Sequence, residues 1–417
     1  MNRKHFYVHS GRLASKVLLG PELRALEMSR AAASVGLDSR LVVADPGSEE
    51  FAGIRLASLA DFRLDEIAPG DAVVLSESIA ARIPFLLARR GIPFHVDLYG
   101  LPPAELVPLY LQWSAKSRRI DRARRTLRLQ FAAHHAERIY LSHPGQLPML
   151  AGIVFAGSQS LVPEAIDSLA SRVAYLPMGV PKLASVGDNP YPPSLHDRPI
   201  FLFGGGIWSW FDCETLIRAF KRASEMGSDA VLFFLAGEDH SGIDAHRLSV
   251  ARAKALADEL GATGRCVVFN SRPATHQDLP SYLHYCRAGV MANPNGLEAL
   301  TSWRTRYLDL LASGRPLVFA GSDPLGDRMA LAGSALRTPS GDIDALASSI
   351  DLLARDTAIS SRMGAASKSL SQEFSWSSIL ANYQDILLAK DSFRSIRKPG
   401  WQWMLRYLLA PTFAGWR

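Results

Sequence analysis

The stretch from Phe201 to Phe220 reads FLFGGGIWSWFDCETLIRAF. An apolar run breaks into Gly204, Gly205 and Gly206, passes two tryptophans and ends in a helical pattern. Strand, glycine turn and helix in succession read as one unit of a parallel sheet, since parallel strands need a crossover, usually a helix. Asp212 is the expected N-cap of that helix, with Glu214 in its first turn. Glycines at such a turn permit positive φ and let a ligand approach the backbone. N–H groups there can meet a phosphate. The spacing is neither G-x-G-x-x-G nor a Walker loop, because no GK[ST] follows. A tight turn without a ligand fits the glycines equally well, and Trp208 and Trp210 suit either a core or a ligand wall.

The same alternation extends in both directions. Ahead of the stretch, apolar runs occur at 6–8, 41–43, 72–75, 94–98, 138–141, 153–157 and 173–177. Helical spacing lies between them, as in LGPELRALEMSRAAASVG with its glycine stop at Gly36. Residues 178–199 hold five prolines and two glycines and read as a linker. Beyond it the runs are 200–203, 231–237, 266–269, 289–292 and 316–320, with helices over 212–226, 243–260 and 302–313. The expectation is an α/β chain of two Rossmann-like, doubly wound domains facing a cleft. Ligands of such sheets bind beyond the carboxyl ends of the strands, so the cleft is the expected site.

Composition narrows the class. The chain has 417 residues, 48% hydrophobic and 21% charged, which suits two globular domains. No apolar run reaches the roughly 18 residues of a membrane span, and the N-terminus lacks a signal-peptide stretch. A cytoplasmic protein is the expectation. Cys213, Cys266 and Cys286 form no CxxC pair, so neither a zinc site nor a disulfide framework is expected and buried thiols are. The formal charge of +6 favours anionic partners. Without a zinc finger, basic zipper or RNP-like signature, no nucleic-acid partner is expected.

A second stretch, NPNGLEALTSWRTRYLDLLASGRPLVFAG, spans 293–321. Asn293 to Gly296 read as a loop that also carries Glu298. A helix is expected from Thr301 or Ser302 to Gly314, with Arg304 and Arg306 in its first turns. A helix N-terminus is already positive, so two arginines there point to an anion between loop and helix. A solvated pair balanced by neighbouring carboxylates is the plainer explanation.

Together these motifs resemble the GT-B glycosyltransferases, in particular their family-4-like retaining branch. GGGIWSWFDCETLIRAF and LEALTSWRTRYLDLLASGRPLV carry the likeness most specifically. LGPELRALEMSRAAASVGLDSRLV, FHVDLYG and VAYLPMGVP carry it more loosely, and the likeness runs over nearly the whole chain. It implies an acceptor-side domain over 1–180, a linker over 181–199, a nucleotide-sugar-binding domain over 200–385 and a helical segment over 386–417 that crosses back to the first domain. It further implies a hexosyltransferase with a nucleotide-sugar donor and no metal.

By position, the resemblance puts Glu298 near the donor sugar and Asp309 on the ribose hydroxyls. Thr301 stands where the family's Glu-x7-Glu motif has its first acid, and the usual phosphate-site lysine is missing. Arg304 and Arg306, with Thr305 between them, would neutralise the diphosphate instead, a task suited to bidentate guanidinium contacts. Gly20, Gly205 and Gly206 would approach the donor phosphates. Glu238, Asn270 and Arg272 would contact base and sugar. Asp97 would be catalytic with Glu298, orienting the acceptor hydroxyl or supporting an oxocarbenium-like state, or would simply be a capped strand-end carboxylate. His95 and Tyr99 share its face and would lie on the acceptor side, although a core role also fits His95.

Residues 113–135 combine Lys116, Arg118, Arg119, Arg122, Arg124, Arg125 and Arg128 with Trp113, Ile120, Leu127 and Phe131. A basic amphipathic helix can lie on an anionic membrane, which would bring the enzyme to the inner face of the cytoplasmic membrane and to a glycan or lipid-linked acceptor in surface polysaccharide synthesis. A plainly solvated helix is the alternative. A phosphorylase or epimerase on the same fold lacks a supporting motif. A non-catalytic nucleotide-sugar-binding protein would keep the site but release no diphosphate.

Overall fold

The computed structural model describes residues 3–9, 20–76, 82–100, 114–155, 163–236, 244–271, 274 and 277–389. The chain divides into two compact units, one of residues 1–178 with 376–417, the other of residues 179–375.

In the first unit, eight strands pair in the order β3-β4-β2-β1-β5-β6-β7-β8. They are β1 (Lys4–Val8), β2 (Asp38–Val43), β3 (Glu50–Phe51), β4 (Ile54–Ser58), β5 (Ala72–Ser76), β6 (His95–Leu98), β7 (Arg138–Leu141) and β8 (Val173–Tyr175). All pairs are parallel except the β3–β4 hairpin. The expected strand at 153–157 is instead the end of a helix, Gln146–Phe155. Leu150 and Val154, four apart, face the core there, and a short apolar run alone does not distinguish strand from helix.

The second sheet is β11-β10-β9-β12-β13-β14, parallel throughout. Its strands are β9 (Ile200–Phe203), β10 (Val231–Phe234), β11 (Val267–Phe269), β12 (Ala288–Ala292), β13 (Leu317–Ala320) and β14 (Ala335–Thr338). This is the doubly wound order in which the third strand of the unit lies outermost and the first and fourth are neighbours. β9, β10, β12 and β13 are buried along their whole length. That explains their continuous apolar runs, since both faces of a parallel sheet are covered by helices. Residue 289 in β12 is glycine because a Cβ would run into the side chain of Leu310 on the helix Thr305–Ser313.

The expected linker is part of the second unit. Tyr191 is buried, donates to Tyr282 O at 2.9 Å and packs edge-on against Phe233 at 4.8 Å. Gly187 N–H donates to Ser281 Oγ at 2.8 Å. The segment returning to the first unit begins at Trp376 rather than 386. Its helix Trp376–Leu388 shares a 2.6 Å hydrogen bond between Tyr383 OH and His5 Nε2, and Gln384 Nε2 donates to Ser34 Oγ at 2.8 Å. Buried apolar positions Ile379, Leu380, Tyr383 and Leu387 recur at helical spacing and hold it there.

Candidate functional site

In a doubly wound sheet the crevice opens where adjacent strands send their connections to opposite sides. In the second sheet that point lies between β9 and β12. The loops leaving their carboxyl ends are Gly204–Phe211 and Asn293–Gly296, the two segments the sequence singles out.

Asp212 closes the first loop as expected. Its carboxylate accepts from Thr215 N–H at 3.0 Å and from Thr215 Oγ1 at 2.6 Å. Gly205 has φ +83°, and a Cβ there would stand 3.1 Å from Arg306 Nε. Arg306 reaches this loop from the first turn of the helix Thr305–Ser313. Its Nη2 donates to Gly206 O at 2.5 Å, and its guanidinium carbon lies 4.4 Å from the Phe211 ring centre and 5.0 Å from that of Phe203. Nη1 is enclosed without a partner among the described residues. Burial first, then repulsion from Arg304, pulls this guanidinium down to about 9.

Arg304, two residues earlier, has a different fate. Nη1 and Nη2 donate to the two oxygens of Glu298 at 2.8 and 2.7 Å, and Ser302 Oγ donates to Glu298 Oε1 at 2.7 Å. Burial opposes the charge on Arg304, but Glu298 outweighs it and the pKa rises. Glu298 lies in a short helix, Leu297–Thr301, not in a loop, and the next helix starts at Thr305, later than expected. Arg304 thus meets a neighbouring carboxylate, the plainer of the two explanations the sequence allows. Glu298, itself buried, is engaged by the pair.

Asp309 follows Arg306 by one turn of the helix and shares a small cavity with Gly204, Leu279, Leu283, Met291 and Arg306. Burial pushes its carboxyl up to about 7, with Arg306 opposing the rise. Thr305 is half-buried at the helix start. Asn270 is buried and structural, donating to Leu235 O at 3.2 Å and to Tyr282 OH at 3.3 Å. Glu238 and Arg272 lie outside the described residues.

In the first unit, His95 and Asp97 share a face as their spacing requires, but that face is packed. Asp97 accepts from Arg24 Nε at 2.7 Å, Arg24 Nη2 at 2.9 Å and Tyr7 OH at 2.6 Å, and is 2% exposed. Arg24 also donates to Pro177 O at 3.0 Å. His95 is fully buried, its Nδ1 2.6 Å from Tyr140 OH. Of the alternatives the sequence leaves open, the packed one is seen for each: a carboxylate bidentate to a buried arginine, and a core histidine. Tyr99 is partly exposed, with the Arg24 guanidinium 5.6 Å from its ring. Gly20 opens the helix Gly20–Ser34.

Sequence reasoning missed the group at the first sheet's own switch point, between β1 and β5. His9 Nδ1 lies 3.1 Å from Ser76 Oγ, and His9 Nε2 lies 3.5 Å from Glu22 Oε1. The available signal was position, since His9 directly follows β1 and Ser76 ends β5. In the basic segment, a helix runs Ala115–His135, capped by Ser114. Phe131 belongs to the first unit's core and cannot face a membrane. No helix among the described residues is long and apolar enough to cross a membrane.

No family model and no curated protein matches the sequence. Solved structures do match the fold. A sucrose-phosphate synthase from Thermosynechococcus elongatus superposes with a TM-score of 0.64 at 17% identity, over 92% of this chain and 98% of that one. A UDP-forming α,α-trehalose-phosphate synthase from Burkholderia vietnamiensis gives 0.66 at 10% identity, over 93% and 98%. The Anabaena protein HepE in complex with UDP-glucose gives 0.61 at 14% identity, over 92% and 99%. All three are GT-B glycosyltransferases, and the fold of this chain is GT-B.

Proposed function

We propose that this chain, built on the GT-B fold, transfers a sugar from a nucleotide-sugar donor held by its second unit. The observation that carries the reading is Arg306. Its guanidinium is stacked on Phe211, tied by one bond to Gly206 and left with Nη1 unpartnered among the described residues, at the switch point of the second sheet. A nucleoside diphosphate leaving the sugar develops negative charge on its oxygens. A fixed cation and the N–H groups of the glycine turn stabilise that charge without reorganising. Asp309, in the same cavity, suits ribose hydroxyls once ionised. Glu298 acts through Arg304 as a positioning residue, holding that guanidinium 4.9 Å from the Phe211 ring centre. That a neighbour of the same fold binds UDP-glucose is consistent with this donor class.

Retention, metal independence and a glycan or lipid-linked acceptor in surface polysaccharide synthesis rest on the motifs resembling the retaining branch. Binding to an anionic membrane surface rests on the basic residues of 116–128. A second reading, a non-catalytic nucleotide-sugar-binding protein, is favoured by Thr301 in place of the family's first acid and by the closed Glu298–Arg304 pair. Incubation with UDP-, GDP- and dTDP-sugars, with and without magnesium, separates the two readings. Released nucleoside diphosphate is expected from one donor class; binding without release would leave only the second reading.

A further inference from the structure

The loop after β9 carries a feature that diphosphate binding leaves unused. Trp208 and Trp210 lie in a turn closed by Phe211 N–H donating to Trp208 O at 3.1 Å. Their rings stack 5.1 Å apart with planes only 6° from parallel, and both remain partly exposed. The pair is braced from behind. The His246 ring meets Trp208 at 4.9 Å, while His246 Nε2 accepts from Ile207 N–H at 3.0 Å. A Cβ at residue 206 would fall 2.8 Å from His246 Nε2 and 3.1 Å from Trp208 Nε1. The edge of Trp208 therefore lies directly beside Gly206, whose carbonyl holds Arg306. Between the two tryptophans, Ser209 Oγ is enclosed without a partner among the described residues. An enclosed hydroxyl with no partner calls for a group to meet it.

We propose that Trp208 and Trp210 form a platform for the pyranose ring of the donor, with Ser209 hydrogen-bonding one of its hydroxyls. This rests on the donor reading above. A nucleotide sugar is linear, with the diphosphate between ribose and pyranose. The loop runs from Gly204, which shares the cavity with Asp309, through Gly206 at Arg306, to Trp208. With ribose at Asp309 and diphosphate at Arg306, the ring at the tryptophan end is the sugar. The C–H-rich face of a pyranose packs on an indole through dispersion and loss of apolar surface to water, and its hydroxyls supply both donors and acceptors for Ser209.

The test is calorimetric titration of wild type, Trp210→Ala, Trp208→Ala and Trp210→Phe. The probes are UDP, GDP and dTDP and the glucose conjugate of whichever binds. The alanine variants are expected to lose about tenfold in affinity for the conjugate and less than twofold for the free diphosphate, a difference of the size expected for one aromatic contact. Trp210→Phe is expected to recover most of the loss. In wild type the conjugate is expected to quench indole fluorescence more than the diphosphate does, with the excess gone in Trp210→Phe. That readout does not depend on the alanine variants folding. Equal losses for both probes would place the nucleoside on the pair and overturn the proposal, as would no loss for either. If none of the diphosphates binds wild type, the donor reading fails and takes the platform with it. If the diphosphate binds and only the conjugate is indifferent, the platform alone fails.

Discussion

Two arginines separated by one residue end in opposite states, and the difference decides what the site can do. Arg304 bonds a carboxylate, whereas Arg306 bonds a carbonyl and keeps Nη1 without a partner among the described residues. Removing one partner of a buried ion pair strands the other. Arg304→Met is therefore expected to cost about 3–5 kcal/mol in urea unfolding, and the double variant with Glu298→Leu to recover most of that. Asp309 makes the opposite case. Folding raises its carboxyl from 3.8 to about 7. A raised acid binds its proton more tightly when folded, so its ionisation is a cost to stability that is complete above about pH 7 and absent below the unfolded value. Asp309→Asn is expected to raise the melting temperature of the ligand-free protein at pH 8, to leave it unchanged near pH 3, and to weaken nucleotide binding. Unaltered melting at pH 8 would contradict the raised carboxyl. The sequence signalled an anion at residues 304–306 but not which arginine was free. Glu298 precedes Arg304 by six residues across a helix break, a spacing that no helix-surface rule connects. The pairing of Asp97 is illegible for a like reason: its partner Arg24 is 73 residues away.

At the scale of elements, the site depends on where β9 stops and the helix Thr305–Ser313 starts. The glycine turn gives Arg306 its seat, since φ at Gly205 is +83° and a side chain there would press on the guanidinium. Gly205→Val is expected to cost about 1–2 kcal/mol in backbone strain and to abolish nucleotide binding while circular dichroism stays native. Retained affinity would mean that the turn does not seat the ligand. Strand, turn and helix here were legible because each had a local cause: four apolar residues, three glycines and an N-capping aspartate. Elements with weaker local causes were not. β4 is only partly buried and carries the exposed Arg55, and β14 is an edge strand carrying the exposed Arg337, so neither forms an apolar run. The apolar end of the helix Gln146–Phe155 looked like a strand because periodicity needs more residues than that run supplies.

Over the whole molecule, strand–helix alternation was enough to call two doubly wound sheets, but not the ownership of the joining segments. Residues 181–199 look like linker by composition yet bury Tyr191 in the second unit. The helix Trp376–Leu388 completes the first unit from the far end of the chain, by contacts of very long sequence separation such as His5 with Tyr383. Truncation after Ser375 is accordingly expected to lower the melting temperature of the first unit, read by calorimetry as an early transition. A single unchanged transition would show that the helix contributes no stability there. The central claim, that the second unit is built to hold a nucleotide-sugar through Arg306, has one direct measurement. Wild type and Arg306→Met are titrated with UDP, GDP and dTDP under identical salt. The account expects one of them to bind wild type and to lose about 10–100-fold in the variant, the worth of a charge-assisted contact to phosphate. No binding by wild type, or equal affinity in the variant, would contradict it.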